Sequence, residues 1–437
     1  MNRRDHRAAS DAAVGIMVAI GVLVAVWPVV VAVAAPVPFA VLPVLAHVAG
    51  MLAGYGVLVL MTLMSRWPVL ERGVGSDRLA RWHARGGRIV LTLVLVHAWA
   101  ATQAWADSRE VSLSVALWQV LGMPWLISAT VATVLLVGVA VVSVRIARRR
   151  LSYERWHLVH LLTYVAIALS FLHQLGGPDL AGRPVLQVLW ALMYAHAFGL
   201  VLRHRVIAPV RAAARHRLRV AAVVPEAPGV VSIILDGEHL GELRAEPGQF
   251  FRWRFLTPDT WLTAHPFSLS APPGAHRLRL TVKALGDGSR LLQAIEVGTW
   301  VVAEGPYGAM TADLRTRREV LLVAGGVGIT PMRALFETMP LGPGTGLTLL
   351  YRARDRDQIV FRAELDAIAT HRGARVVYLL GDDPDLLSAA SLLRLVPNLA
   401  EHDVYLCGPP GMAQVVRTNL EQAGLPVEQL HEERFAF

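Results

Sequence analysis

Four histidines lie in or beside long apolar stretches: His83 and His97 on the third stretch, His160 and His173 on the fifth. Ionisable groups inside apolar spans are costly and are candidates for function by default. At about 100° and 1.5 Å per residue, the separation of His83 and His97 returns to within ~40° of one helix face, roughly 21 Å along the axis; His160 and His173 are about 20 Å apart. Neutral imidazole is a good iron ligand, and facing helices with a histidine near each end can clamp two flat macrocycles, one above the other. The third and fifth stretches run in the same direction, so His83 pairs with His160 and His97 with His173, as axial ligands of two haems. The alternative is that each histidine hydrogen-bonds a neighbouring helix. One angle conflicts with the haem reading: in an ideal helix His160 and His173 lie roughly 140° apart, which calls for a π-bulge, a kink or another ligand. His157 is the substitute, yet at about 160° from His173 it fits no better. His47 and His196 stand singly and read as structural. Arg85 or Arg88 can neutralise haem propionates at the inner end, or simply be solvated.

The elements that must hold these histidines are six apolar stretches near 12–35, 43–64, 88–106, 124–146, 156–175 and 185–206, each close to the roughly 20 residues a bilayer-crossing helix needs. The loops between them alternate in charge. Arg3, Arg4 and Arg7 precede the first stretch; Arg66, Arg72, Arg78, Arg81, Arg85 and Arg88 follow the second; Arg145, Arg148, Arg149, Arg150 and Arg155 follow the fourth. The loop at 36–42 has no basic residue, and those at 107–123 and 176–184 have only Arg109 and Arg183. By the positive-inside rule both termini are cytoplasmic. A signal peptide cleaved after Ala32-Val33-Ala34 is the rival for the first stretch, but the apolar run exceeds the usual ~7–15 residues.

Composition agrees. Of 437 residues 54% are hydrophobic and 17% charged, outside the soluble average of about 25% charged, which excludes a wholly soluble or disordered chain. The net charge of +9 comes from arginines beside apolar spans and not from a basic, aromatic-interleaved soluble face, so nucleic acid is not an expected partner. Every basic residue except Lys283 is arginine, and Cys407 is the one cysteine, which rules out an internal disulfide, a Cys-based zinc site and a four-Cys iron–sulfur cluster.

From about 215 the pattern changes to short strands, such as Leu218–Val224, Val230–Leu235 and Gln249–Phe255, between Pro/Gly turns, which suggests a small antiparallel barrel. Within it His265-Pro266-Phe267-Ser268-Leu269-Ser270 offers hydroxyls and an aromatic ring that can line a flavin. Lys283 precedes Gly286-Asp287-Gly288-Ser289, whose amides at a helix start can take a pyrophosphate. After Gly305-Pro306-Tyr307-Gly308 an α/β pattern begins: strand Glu319–Ala324 runs into Gly325-Gly326-Val327-Gly328-Ile329-Thr330-Pro331 and a helix, an arrangement in which glycines let a pyrophosphate approach the helix N-terminus. Strand Leu347–Tyr351 is followed by Arg352, Arg354 and Arg356, and an arginine here can hold a ribose 2′-phosphate, favouring NADPH over NADH. Strand Asp403–Leu406 delivers Cys407-Gly408-Pro409, where a thiol can sit beside a nicotinamide or be a buried small hydrophobe.

Taken together these residues resemble the ferric reductase and NADPH oxidase transmembrane flavocytochrome b family, with a ferredoxin–NADP reductase-type dehydrogenase half. His83, His97, His160 and His173 match its four haem-ligand positions, unequal spacing included. His265 to Ser270 is similar to its flavin-ring segment, and Gly326-x-Gly328-x-x-Pro331 and Cys407-Gly408-Pro409 to its nucleotide motifs. Glu433-Arg434-Phe435-Ala436-Phe437 resembles its aromatic C-terminus, which implies Phe437 stacked on the isoalloxazine. His265 stands where many soluble relatives have an arginine, and the external loops carry no evident acceptor site. The resemblance implies a six-helix transmembrane haem domain over 1–210, an antiparallel β-barrel FAD domain over 214–312 and an α/β NAD(P)-binding domain over 316–437. It implies an oxidoreductase of the cell (inner) membrane that uses FAD, two b-type haems and NADPH or NADH. Cofactor contacts are then expected from Pro266, Phe267, Leu269, Ser270, Lys283, Gly288, Ser289, Thr330, Pro331, Arg352, Gly408 and Pro409, with Ser268, Cys407 and Phe437 at the transfer point. Electrons would pass to oxygen, ferric iron or a protein acceptor on the outer face.

Overall fold

The structure is a computed structural model that describes residues 3–36, 38–144, 153–342 and 344–432. Arg145, Arg148, Arg149, Arg150 and the aromatic end at 433–437, Phe437 included, lie outside the described residues. The chain forms two compact units, Met1–Ala208 and Pro209–Phe437.

In the first unit, α1 (Arg3–Ala34), α2 (Val41–Met64), α4 (Ser76–Arg109), α6 (Pro124–Ser143), α7 (Tyr153–Gly176) and α8 (Pro184–Val201) are long; α3 (Pro68–Gly73) and α5 (Leu113–Leu121) are short. Among the described residues six helices are long and apolar enough to cross a membrane, the sixth running on from α8 through a π-helical stretch, Leu202–Ile207, into α9 (Ala208–His216). Small residues on α2 explain its close packing. Ala46, Ala49 and Ala53 are buried, and Gly50, Gly54 and Gly56 present no side chain to His97, Gln174 or Val90, which lets helices approach where there is no hydrophobic drive between them. Thus α2 packs along α4, and α6 along α7, while α4 and α7 are not among the closely packed helix pairs. One buried apolar cluster includes Val90 of α4 and Ile167 of α7.

In the second unit, β1 (Arg219–Ala227), β2 (Val230–Asp236) and β5 (Arg277–Lys283) form one antiparallel sheet, and β4 (His265–Ser268), β3 (Phe250–Phe255) and β6 (Val301–Tyr307) another. The sheets do not merge into one continuous ladder. They meet at both edges through single bridges, Arg219 with Trp300 and Leu269 with Leu280, around a core that includes Phe251, Trp253, Phe255, Ile233 and Leu280. Alternation dictates this: Phe251, Trp253 and Phe255 are fully buried, with Arg252 and Arg254 between them pointing out.

A five-stranded parallel sheet follows, in the order β11 (Leu430–Glu432), β10 (His402–Cys407), β7 (Glu319–Gly325), β8 (Leu347–Ala353), β9 (Arg375–Leu380). It is buried on both faces, as parallel sheets are. Val320, Leu322 and Ala324 face the cluster holding α11 (Ile329–Thr338) and α12 (Arg362–Arg372); Leu321 and Val323 face that of α13 (Ala389–Leu395) and α14 (Pro410–Gln422). Strand order reverses between β7 and β10, and open α/β sheets bind ligands at the carboxyl ends of strands at such a point.

Candidate haem, flavin and nucleotide sites

The two histidine pairs form as the spacing requires. Ring centroids of His83 and His160 are 6.0 Å apart, and those of His97 and His173 are also 6.0 Å apart. Two imidazoles bound to opposite sides of one metal through bonds of about 2.0–2.1 Å have ring centres roughly 6 Å apart, so each pair fits one axial couple. α7 carries no π-bulge: the helix is α-helical throughout Tyr153–Gly176, and the π-helical stretch lies in the sixth span instead. A wheel angle describes Cα directions, whereas two side-chain torsions carry an imidazole sideways by several ångströms. His157 lies beside Trp156, and Trp156 stacks on His160 with ring centres 5.1 Å apart.

Tautomers agree with a ligand role. His97 Nδ1 is 2.7 Å from Ala46 O and His83 Nδ1 is 3.2 Å from Leu60 O. A carbonyl only accepts, so Nδ1–H donates and Nε2 keeps its lone pair for a metal. His160 Nδ1 is buried without a hydrogen-bond partner, an orphaned polar atom of the kind that calls for a missing group. The residues present therefore fit two haems. Arg85 and Arg88 are exposed. His47 Nδ1 lies 3.1 Å from Asp179 Oδ1, a structural pairing, and His196 is exposed.

In the β unit, His265 and Phe267 stack with planes 19° apart. Gly288 lies against His265, since a Cβ there would come within 2.6 Å of the ring, so the two segments separated in sequence meet. Ser268 Oγ is buried with no hydrogen-bond partner, while Ser270 accepts from Thr281, which also bonds Ser232. Pro266 and Leu269 flank them in the same segment, with Leu269 in the core. Ser289 has another use: its hydroxyl accepts from Leu285 N and Gly286 N and donates to Gly286 O, closing the turn before the one-turn helix α10 (Asp287–Leu291). An orphaned buried hydroxyl and an open glycine beside an imidazole fit a flavin.

At the switch point, a cleft of about 230 Å³ is lined by Lys283 and Val230 from the β-sheets and by Gly325, Gly326, Arg352 and Pro409 from the parallel sheet, among others. Gly326 has φ +53°, a left-handed backbone that glycine adopts freely. At Gly328 a Cβ would lie 2.3 Å from Cys407 O, so the glycine turn and the end of β10 touch. Cys407 is fully buried, Gly408 lies over Gly325, and Thr330 Oγ1 bonds Val327 O within the turn. Pro331 is buried in the first turn of α11. Arg352 reaches Gly381 O at 3.3 Å and Asp383 O at 3.4 Å, and Arg354 pairs with Asp382.

The sequence did not announce two ionic clusters, of which the first joins the antiparallel sheets to the parallel-sheet part and the second lies within the parallel-sheet part. Arg279 of β5 binds Glu364 of α12 through two bonds, 2.8 and 2.9 Å, and Arg333 of α11 binds the same carboxylate at 2.7 Å. Burial raises the Glu364 pKa, but Arg279 and Arg333 outweigh it and hold the carboxyl below its ordinary range. Likewise burial raises Asp403, yet the amides of Arg317 and Thr316, with His431 at 3.1 Å, leave it below the ordinary range. Charges 28 to 85 residues apart give no local pattern to read.

The comparisons with known proteins agree with this division. Residues 49–171 match the family described as ferric reductase like transmembrane component, and residues 322–418 match the oxidoreductase NAD-binding domain. The ferredoxin reductase component of 3-ketosteroid-9-alpha-monooxygenase from Mycolicibacterium smegmatis is 33% identical over 50% of this chain and 65% of its own length. The glycine betaine monooxygenase reductase subunit from Chromohalobacter salexigens is 27% identical, over 51% of this chain and 64% of its own. The chain thus spans just under two thirds of the length of these relatives. Among solved structures, the FAD/NAD-binding domain of nitric oxide dioxygenase from Vibrio cholerae is 24% identical, covering 50% of this chain and 98% of that one, with a TM-score of 0.43. A ferric reductase-like transmembrane component and an oxidoreductase NAD-binding domain are thus both matched on one chain, the two parts that its resemblance to the ferric reductase and NADPH oxidase flavocytochromes implies.

Proposed function

We propose that this protein moves electrons across a membrane, from cytoplasmic NADPH or NADH through FAD and two b-type haems to oxygen or ferric iron on the outer face. The observation that carries the reading is the repeated pair: two histidine couples, each with ring centres 6.0 Å apart, on the same two helices. Bound flavin would accept a hydride and release electrons singly, and bound haems would relay them. His83 with His160 would hold the inner haem and His97 with His173 the outer one. Ser268 would donate its unmatched hydroxyl to the flavin, His265 and Gly288 would shape the pocket beside it, and Phe437 would cover the ring. Gly326 and Gly328 would let the nucleotide pyrophosphate reach the amides at the turn, Cys407 would border the nicotinamide, and Arg352 would face the ribose, favouring NADPH. The arginine-rich loops support an inner-membrane protein with both termini in the cytoplasm.

The test is anaerobic. Protein purified with FAD is mixed with NADPH or NADH while the haem absorbance bands and the haem-to-protein ratio are recorded. Reduction of about two haems per chain supports the reading; a chain that binds no haem after haem supplementation overturns it. A second reading, in which the acceptor is another protein, draws on relatives whose names describe reductase components and subunits. Slow turnover with oxygen and ferric chelates, restored by a native membrane extract, would favour it.

A further inference from the structure

On α2, Ala46 and Leu60 are fourteen residues apart, the same spacing as His83 and His97 on α4. The helices run in opposite directions, so Ala46 meets His97 and Leu60 meets His83, each through a backbone carbonyl and a ring Nδ1. At the outer pair the contact depends on a missing side chain: a Cβ on Gly50 would lie 2.6 Å from His97 Nδ1 and 2.8 Å from its Cε1. His160 on α7 has no such bond, its Nδ1 being buried without a partner.

Resting on the haem reading above, we propose that α2, which contributes no ligand, orients both α4 ligands, and that Gly50 is the positioning residue that lets His97 reach the Ala46 carbonyl. An Nδ1–H bonded to a carbonyl fixes the tautomer, sets the ring plane and makes Nε2 a more basic donor, which stabilises the ferric state. The outer bond is the shorter, 2.7 Å against 3.2 Å, so the effect is larger at the outer haem. Each proposed haem would thus take one carbonyl-anchored ligand from α4, and at the inner site His160 is stacked against Trp156.

Gly50→Ala is compared with Gly87→Ala, a position where a Cβ meets nothing within 4 Å. Readouts are haem content, the low-spin ferric electron paramagnetic resonance signals and a redox titration. The expected result is that Gly50→Ala changes one of the two haem signals, raising that midpoint or losing that haem, while Gly87→Ala matches the parent. Flavin content and dye reduction by NAD(P)H report folding and should be unchanged in both. Should Gly50→Ala not accumulate, the parent itself decides: with ¹⁵N-histidine in the diamagnetic ferrous state, His83 and His97 should show protonated, exchange-resistant Nδ1, and deprotonated or iron-bound Nδ1 would overturn the proposal. Two haems in the parent with Gly50→Ala indistinguishable from it overturns this proposal alone. A parent without haem overturns the haem reading, and this one with it.

Discussion

The two units hold their candidate sites with different materials. In the helical unit the proposed chemistry rests on four side chains, with the helices supplying their spacing and α2 carbonyls facing two of the rings. In the second unit the cleft is made largely of backbone, with glycines at 325, 326 and 328 admitting a ligand and the end of β10 closing on them. A side-chain site fails at one substitution, while a backbone site tolerates many side-chain changes but few added atoms.

That contrast can be broken most sharply at His97. His97→Leu should remove the outer haem, halving the haem-to-protein ratio and abolishing reduction of an external acceptor, with soluble-dye reduction by NAD(P)H retained; loss of both activities would mean the units are not separable in this way. Next is Gly328→Val, whose added atoms collide with Cys407 O. Overpacking costs about 1–3 kcal/mol, so the melting temperature of the second unit and nucleotide binding should fall while haem content is unchanged.

A smaller effect concerns acid. Asp403 is fully buried and its pKa is depressed in the fold, so its stabilisation is present above the unfolded carboxylate value of about 3.9 and is lost as pH falls through the folded value. Thermal melts carried from about pH 6 down to about pH 2 should show that loss, and Asp403→Asn should flatten the dependence while lowering stability at neutral pH. The smallest effect is expected at Arg352. Arg352→Ala should weaken NADPH about tenfold, ~1.4 kcal/mol, with NADH less affected; equal loss for both would place the 2′-phosphate elsewhere.

Much of this was legible in the sequence. Apolar length and arginine alternation mark the spans, and the histidine spacings mark both pairs, because side-chain identity and helical pitch are local properties. The wheel angle of roughly 140° on α7 coexists with both 6.0 Å ring pairs, since a wheel ignores where torsions place a ring. The Ala46 and Leu60 carbonyls were invisible, because every residue has one; the glycines of α2 were the available signal. The Ser289 hydroxyl bonds its own turn, a local use that a residue three positions after Gly286 is placed for. The Arg279–Glu364–Arg333 cluster depends on tertiary pairing, which no window along the chain contains.

One residue in the cleft has a practical consequence. Lys283 is the only lysine in 437 residues and lines the cleft beside Gly326 and Arg352, so an amine-reactive reagent has a single side-chain target there. A mild acylating probe, quantified by mass spectrometry with and without nucleotide, therefore gives a footprint of cleft occupancy from the unaltered chain, with no engineered label.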